Sequence, residues 1–309
     1  MIGTLYEFDS VNPYKNIAME SFLLHQCHEG VQMILWQNQD CVVFGRNQNI
    51  TAEADEQKMN DMHILPVRRF SGGGAVFHDL GNLNYTFLCA AENQNIELWK
   101  QIVLDALCKA GIQAAYSGRN DIVINDKKIS GTAWLEDGDR FMYHGTLMIS
   151  ADCQRMAEVL TPCAEKFEGK EIRSVSSRVC NMCDLQPDIS VDRMKTYLKD
   201  SFSSQYQPIV IEKDPDNAEI ERRAAELADR TWIYGESGAC THIVRKRMNQ
   251  ETAEIRIHAD GGIIQSAEVS TDGMDGRTKE MIETELSGIP DSPAEIDLIL
   301  EKIKVHELY

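Results

Sequence analysis

Between Asn95 and Ala110 the apolar residues Ile96, Trp99, Ile102, Val103 and Leu107 fall three or four apart, the period of a helix with one buried face. Gly111 follows as its stop. Asn12-Pro13 predicts another helix start, running through Ile17, Phe22 and Leu23 to Gly30. Further helices are expected over 51–61, from the Asp152 cap to Leu160, over 190–204, 217–230 and 277–287, and from the capping box Ser292-Pro-Ala-Glu295 to Val305. Period-two runs predict strands at 31–37, 41–45, 64–67, 121–125, 141–150, 254–260 and 263–270, and on either side of Leu80-Gly81-Asn82. Short polar links, among them Asn38-Gln39-Asp40 and Asn125-Asp126, read as turns joining neighbouring strands.

A chain of 309 residues with 43% hydrophobic and 26% charged side chains suits a globular protein of two domains. Gln207-Pro208 and Lys213-Asp-Pro-Asp216 read as linker, and Tyr234 to Gly238 as a domain junction. No stretch approaches the roughly 18 apolar residues of a membrane span, and the first ten residues lack a signal-peptide layout. A cytoplasmic protein is expected. Nine cysteines, paired in spacing only at Cys180-x-x-Cys183, read as reduced thiols without a zinc framework. The net charge of −18 argues against nucleic acid as a partner. Against that field Arg68-Arg69, Lys127-Lys128 and Arg245-Lys-Arg247 stand out as spots suited to a small anion, or as plain solvated faces.

The densest chemistry lies in Arg68-Arg69-Phe-Ser71-Gly72-Gly73-Gly74-Ala75-Val76-Phe77-His78-Asp79. Three glycines let a backbone approach a ligand closely, and their N–H groups can cradle phosphate. The arginines add forked donors for phosphate or carboxylate. No Gly-Lys-Ser/Thr follows, and Phe77 stands where a dinucleotide loop needs its last glycine, so neither common nucleotide loop is present. A glycine-rich hairpin without ligand is the plain alternative.

This pattern, Arg-Arg-x-x-Gly-Gly-Gly-x-Val-Phe-His-Asp, resembles the signature of lipoate–protein ligases. Two further stretches are similar to that family: Asn120-Asp121, a hairpin, then Lys128-Ile-Ser-Gly131-Thr-Ala133; and His144-Gly145-Thr146. The resemblance implies an α+β fold of mixed, mainly antiparallel sheets flanked by helices, with a catalytic domain over 1–236 and a small α/β accessory domain over 237–309. It implies ATP, Mg²⁺ and lipoate as ligands. Arg69, Gly72, Gly73, Gly74, Ala75, Val76, Phe77, Asp121 and Lys128 would bind nucleotide. Trp36, Arg69, Ser71, His78, Lys128, Gly131, His144 and Gly145 would contact lipoate. Trp36, His78 and His144 read equally well as core residues. Asp121 is the candidate to position either the metal or a lysine.

Two adjacent lysines on a strand face opposite ways, so only one can enter a site. The resemblance selects Lys128. It also implies a segment over 169–179, with Arg173 and Arg178, that covers an adenylate.

The implied reaction is adenylation of lipoate with loss of pyrophosphate, then transfer of lipoyl to a lysine of a carrier. Carriers would be the lipoyl domains of 2-oxoacid dehydrogenase E2 subunits or the glycine cleavage H protein, in lipoate salvage. Rival readings are an ATP-independent octanoyl or lipoyl transferase using a cysteine thioester, for which Cys153 lies just past the His-Gly-Thr strand; a biotin ligase, whose arginine pattern differs; and a non-catalytic lipoate-binding paralogue.

Overall fold

The computed structural model describes residues 1–48, 50–118, 120–160, 179–207, 209–212, 215, 217–234, 242–248, 251–260, 263–271 and 276–306. The expected covering segment up to residue 178, the Tyr234–Gly238 junction beyond its first residue and the Gly261-Gly262 turn lie outside them. In chain order the elements are β1 (Gly3–Glu7), α1 (Pro13–Gln26), β2 (Val31–Trp36), β3 (Cys41–Phe44), α2 (Ile50–Glu53), α3 (Glu56–Asp61), β4 (Leu65–Arg68), β5 (Val76–His78) and β6 (Asn82–Ala90). Then come α4 (Ile96–Lys109), β7 (Ala115–Ser117), β8 (Asp121–Ile124), β9 (Lys127–Asp137), β10 (Arg140–Met148), α5 (Cys153–Val159), α6 (Val191–Gln205), β11 (Ile209–Glu212), α7 (Ala218–Ala228) and α8 (Arg230–Tyr234). The chain closes with β12 (His242–Met248), β13 (Glu251–Asp260), β14 (Ile263–Ser270), α9 (Gly276–Leu286) and α10 (Pro293–His306).

The fold is α+β with mainly antiparallel sheets. The chain divides into two compact units, one of them 1–46, 50–162 and 173–234, the other holding 47–49, 163–172 and 235–309. In the first, an eight-stranded sheet runs β11-β1-β2-β6-β10-β9-β8-β7, and a three-stranded sheet runs β4-β3-β5. The pairings of β1 with β11 and β2 are parallel, as is that of β3 with β4. The large sheet is antiparallel from β2 onward. The second unit carries β12-β13-β14 as an antiparallel meander, with α9 and α10 burying Ile282, Leu286, Ile296, Leu300 and Ile303 against it.

Sequence and structure agree on the strongly patterned elements. Asn12 caps α1 by accepting from the Tyr14 and Lys15 amides, and Asp152 caps α5 in the same way. Asn125 and Asp126 both have positive φ (49° and 62°), the type I′ geometry that joins β8 to β9. Trp99 stacks on Phe87 at 5.3 Å, so α4 closes one face of the sheet.

Several expectations are corrected. The helix begun at Pro13 ends at Gln26, four residues before Gly30, which sits at φ 72° leading into β2. The run over 51–61 is two short helices, separated where Ala54 bridges to Leu160. The stretches flanking Asn38-Gln39-Asp40 are not a hairpin, because β2 joins the large sheet and β3 the small one. The same holds for β5 and β6 across Leu80-Gly81. β2, β3 and β6 are buried at every position, so they have no polar face from which pairing could be read. Four strands were not expected: β1; β7; β11, between the two parts of the expected linker; and β12, which carries the Arg245-Lys-Arg247 charge cluster.

Candidate active site

The glycine loop, 69–75, connects the two outer strands of the small sheet, and its shape comes from what is packed inside it. Arg69 turns back into the loop. Its Nη2 donates to the carbonyls of Gly72 (2.5 Å) and Gly74 (2.9 Å), its Nη1 to Val43 O (3.1 Å), and its Nε to Ser71 Oγ (3.0 Å) and Gly72 O (3.2 Å). Gly73 has φ 90°, and a Cβ there would lie 2.9 Å from Arg69 Nη2. A Cβ on Gly45 would lie 2.1 Å from Gly73 O, so the two glycines allow the loop to press on the end of β3. The cradle is built around a buried guanidinium, with Gly74 at its exposed tip.

Arg68 serves a different purpose. Its Nε donates to Ile233 O (2.8 Å) and its Nη1 to Arg46 O (2.7 Å), while Trp232 Nε1 donates to Arg68 O (3.0 Å). It is 3% exposed and ties α8 to the loop. Arg46 lies over the Trp232 ring at 4.4 Å.

Beneath the loop, Ser71 Oγ is 2.7 Å from His144 Nε2, and His144 Nδ1 is 3.0 Å from Glu20 Oε1. Thr86 Oγ1 also donates to Glu20 Oε1 (2.6 Å), and Trp36 Nε1 donates to Thr86 Oγ1 (3.0 Å). All five side chains are buried. Two of them, Glu20 and Thr86, were missed in the sequence. The signal was present for Glu20: a carboxylate three residues after Ile17 and four before Leu24 sits within the apolar stripe of α1.

His78 lies apart from this chain. Its Nδ1 accepts from Asn38 Nδ2 (3.1 Å), an amide oriented by Asn16 Nδ2 donating to Asn38 Oδ1 (2.9 Å). Burial, then the nearby Arg69 and His144, bring its pKa down to about 3, so the ring is neutral. It packs edge-on to Trp36 at 6.4 Å.

Lys128 is on the rim. Its Nζ pairs with Asp121 Oδ1 at 2.7 Å, both side chains partly exposed, whereas Lys127 points to solvent. The same Nζ lies 3.0 Å from where a Cβ on Gly131 would stand. Gly131 and Ala133 share a face of β9, Ala133 is opposite His144 on β10, and Ala133 Cβ lies 3.7 Å from the Cβ position of Gly73. One sheet face therefore carries Lys128, the glycine loop and the Ser71–His144 pair. Gly145 packs directly over Tyr85, whose hydroxyl would be 2.4 Å from a Cβ. The segment after residue 178 bridges to this strand, with the Cys180 amide donating to Lys128 O (3.1 Å).

Among the described residues no group of three or more His, Cys, Asp or Glu side chains could hold a metal, and no helix is long and apolar enough to cross a membrane. Cys153, half-buried at the start of α5, has its thiol pKa pushed up by burial and by Asp184, Asp152 and Asp79.

A family model for the lipoyl protein ligase A/B catalytic domain matches residues 12–203. The chain belongs to that family. This gives it a ligase or transferase role and makes the sheet face above its candidate active site. Similar solved structures of lipoyl ligases include P. falciparum LipL1 in complex with lipoate, 25% identical over 99% of both chains with a TM-score of 0.77. A bi-partite lipoate protein ligase of T. acidophilum, studied with its E2 lipoyl domain, is 25% identical over 76% of this chain and 97% of its own, TM-score 0.65. A lipoate-protein ligase A bound with ATP is 24% identical over 76% of this chain and 99% of its own, TM-score 0.65, a likeness of fold.

Proposed function

We propose that this chain is an ATP-dependent lipoate–protein ligase whose catalytic domain spans 1–236, followed by an accessory domain. The observation that carries the reading is the placement of Lys128 Nζ over Gly131, on the face where the glycine loop meets β9. A lipoate carboxylate is a poor acyl donor until its oxygen becomes a good leaving group. Attack of that oxygen on the α-phosphorus of ATP expels pyrophosphate and leaves lipoyl-AMP. Negative charge grows on phosphoryl oxygens in that step, and preorganised cations and N–H donors are what lower its barrier.

Lys128 is the cation we assign to the α-phosphate and the carboxylate, with Asp121 holding its ammonium in place through their 2.7 Å ion pair. Residues 72–77 would carry the nucleotide and Arg69 the loop's shape and charge. Trp36, Ser71, His78, Gly131, His144 and Gly145 are assigned to the lipoate side. Mg²⁺ would be held mainly by phosphate oxygens and water. In the second step a carrier lysine, on an E2 lipoyl domain or the glycine cleavage H protein, attacks the anhydride and releases AMP.

The cysteine-thioester alternative has less support. A thioester route needs a thiolate, and burial together with three nearby carboxylates disfavours one at Cys153. The test is exchange of labelled pyrophosphate into ATP. Exchange that depends on lipoate and survives Cys153→Ser supports the ligase reading. Acyl transfer without ATP, lost in Cys153→Ser, refutes it.

A further inference from the structure

Lys128 and Gly131 stand three apart on β9, and on a regular strand that spacing means opposite faces. Both nevertheless lie on the face of the site. The pairing with β8 shows why. Ile124 is opposite Lys127 and Val123 opposite Lys128, but the next pairs are Ile122 with Ser130 and Asp121 with Gly131, so Ile129 has no partner. This is a β-bulge, one extra residue in one strand, which re-aims the side chains beyond it. Residues opposite each other share a face, so Lys128 follows Val123 and Gly131 follows Asp121, alternate residues of β8. The 2.7 Å ion pair of Lys128 with Asp121 and the approach of its Nζ to Gly131 agree with that face. Ile129 goes the other way, fully buried in one cluster with Ile122, Ile124 and the apolar side of α4. Unbroken pairing through Ile129 would turn either Lys128 or Gly131 away from the site.

A bulge disrupts the ladder locally, so its backbone groups need other partners. The Lys128 carbonyl accepts from the Cys180 amide (3.1 Å). On the other edge of β9, pairing with β10 runs as far as Thr132 opposite Gly145, and the next pair in that register would be Gly131 with Thr146. There the Gly131 amide donates to Thr146 Oγ1 at 3.2 Å, a side chain standing in for a strand carbonyl. One residue further, Thr132 donates to Asn120 O from its amide (2.8 Å) and its hydroxyl (3.0 Å). Thr146 ends the His144-Gly145-Thr146 motif and is the member to which the reaction sketched above gives no task. We propose that Thr146 is a positioning residue for Lys128: by taking the Gly131 amide it fixes the bulged segment 128–131, and with it the place of the ammonium.

The proposal rests on the reading of Lys128 as the lysine of adenylation, and the experiment separates the two. Thr146→Val keeps the shape and removes the acceptor, Thr146→Ala removes it without bulk, and Thr146→Ser keeps a hydroxyl. Each full-length protein is assayed for lipoate-dependent exchange of pyrophosphate into ATP. In parallel, NMR of the ligand-free protein looks for a nuclear Overhauser contact between the Lys128 side chain and the Gly131 α-protons. Wild type should show that contact. The valine and alanine variants should lose it and exchange about ten-fold or more slowly, since misplacing a group by ~1 Å can cost on the order of a hundred-fold. Serine should recover both. An unchanged contact or rate in a folded valine or alanine variant overturns the proposal, and so does a serine variant as slow as valine. If neither removal variant folds, amide hydrogen exchange in wild type decides: a protected Gly131 N–H supports the proposal, and one exchanging like an open loop refutes it. If wild type shows no exchange of pyrophosphate, the functional reading fails, and the contact alone decides the role of Thr146. Lost with valine and kept with serine, it upholds that role; kept with valine, it refutes it.

Discussion

The site has two ends that are built in opposite ways. Under the glycine loop, Arg69, Ser71, His144, Glu20, Thr86 and Trp36 are buried and hydrogen-bonded one to the next. On β9, Lys128 has a partly exposed ion pair with Asp121 and lies with its Nζ over Gly131. A buried network holds geometry at the cost of movement, since any unpaired member is left desolvated. An exposed lysine pair contributes little to stability but can exchange its partner for a phosphate with little penalty. The difference teaches which end is scaffold and which end is free to follow charge as it develops.

Substitutions can break this contrast. The largest effect is expected from Lys128→Ala: adenylate formation falls by about two orders of magnitude, as for loss of one preorganised charge, with almost no change in melting temperature. Lys127→Ala, on the solvent face of the same strand, should stay within about two-fold by the same pyrophosphate-exchange assay. Equal damage from both would erase the distinction between the lysines. Next comes Arg68→Met, which strands the carbonyls of Ile233 and Arg46. It should lower unfolding free energy by about 3 kcal/mol in urea titrations. A drop as small as that of a surface substitution would mean that Arg68 is not part of the scaffold.

At His78 the expected effect is a slope in pH, absent near neutrality. Its folded pKa is about 3 against an ordinary histidine value of 6.5, so between those values the unfolded chain binds a proton that the folded one does not. Stability therefore falls as pH drops from about 6.5 toward 3, by up to about 1.4 kcal/mol per pH unit. His78→Gln, whose amide oxygen can still accept from Asn38, should flatten that limb of a pH–stability curve. An unchanged slope would place the acid sensitivity elsewhere.

The sequence was most legible where one residue type has few roles. Gly73, Asn125-Asp126 and the Asn12 and Asp152 caps could be placed because each satisfies a local backbone demand. Strand alternation allowed only one of Lys127 and Lys128 to enter a site, and the family resemblance, not the alternation, named Lys128. Glu20 could not be placed, since its partners His144 and Thr86 are 124 and 66 residues away and nothing local announces them. Arg69 was expected as a fork for phosphate or carboxylate; the sequence did not show that its donors also hold the carbonyls of Gly72, Gly74 and Val43. Composition shows the charge but not the direction in which it is turned. Pairing of β2 with β6, rather than with β3, was hidden for the same reason: wholly apolar strands carry no mark of their neighbour.

Gly3–Glu7 lies between two parallel partners, one at 31–35 and the other at 209–212. On a ribosome the first of these emerges early and the second only after some two hundred residues have followed. Until then the earliest-made strand keeps a raw edge, so this part of the sheet must wait for most of the chain before it is sealed.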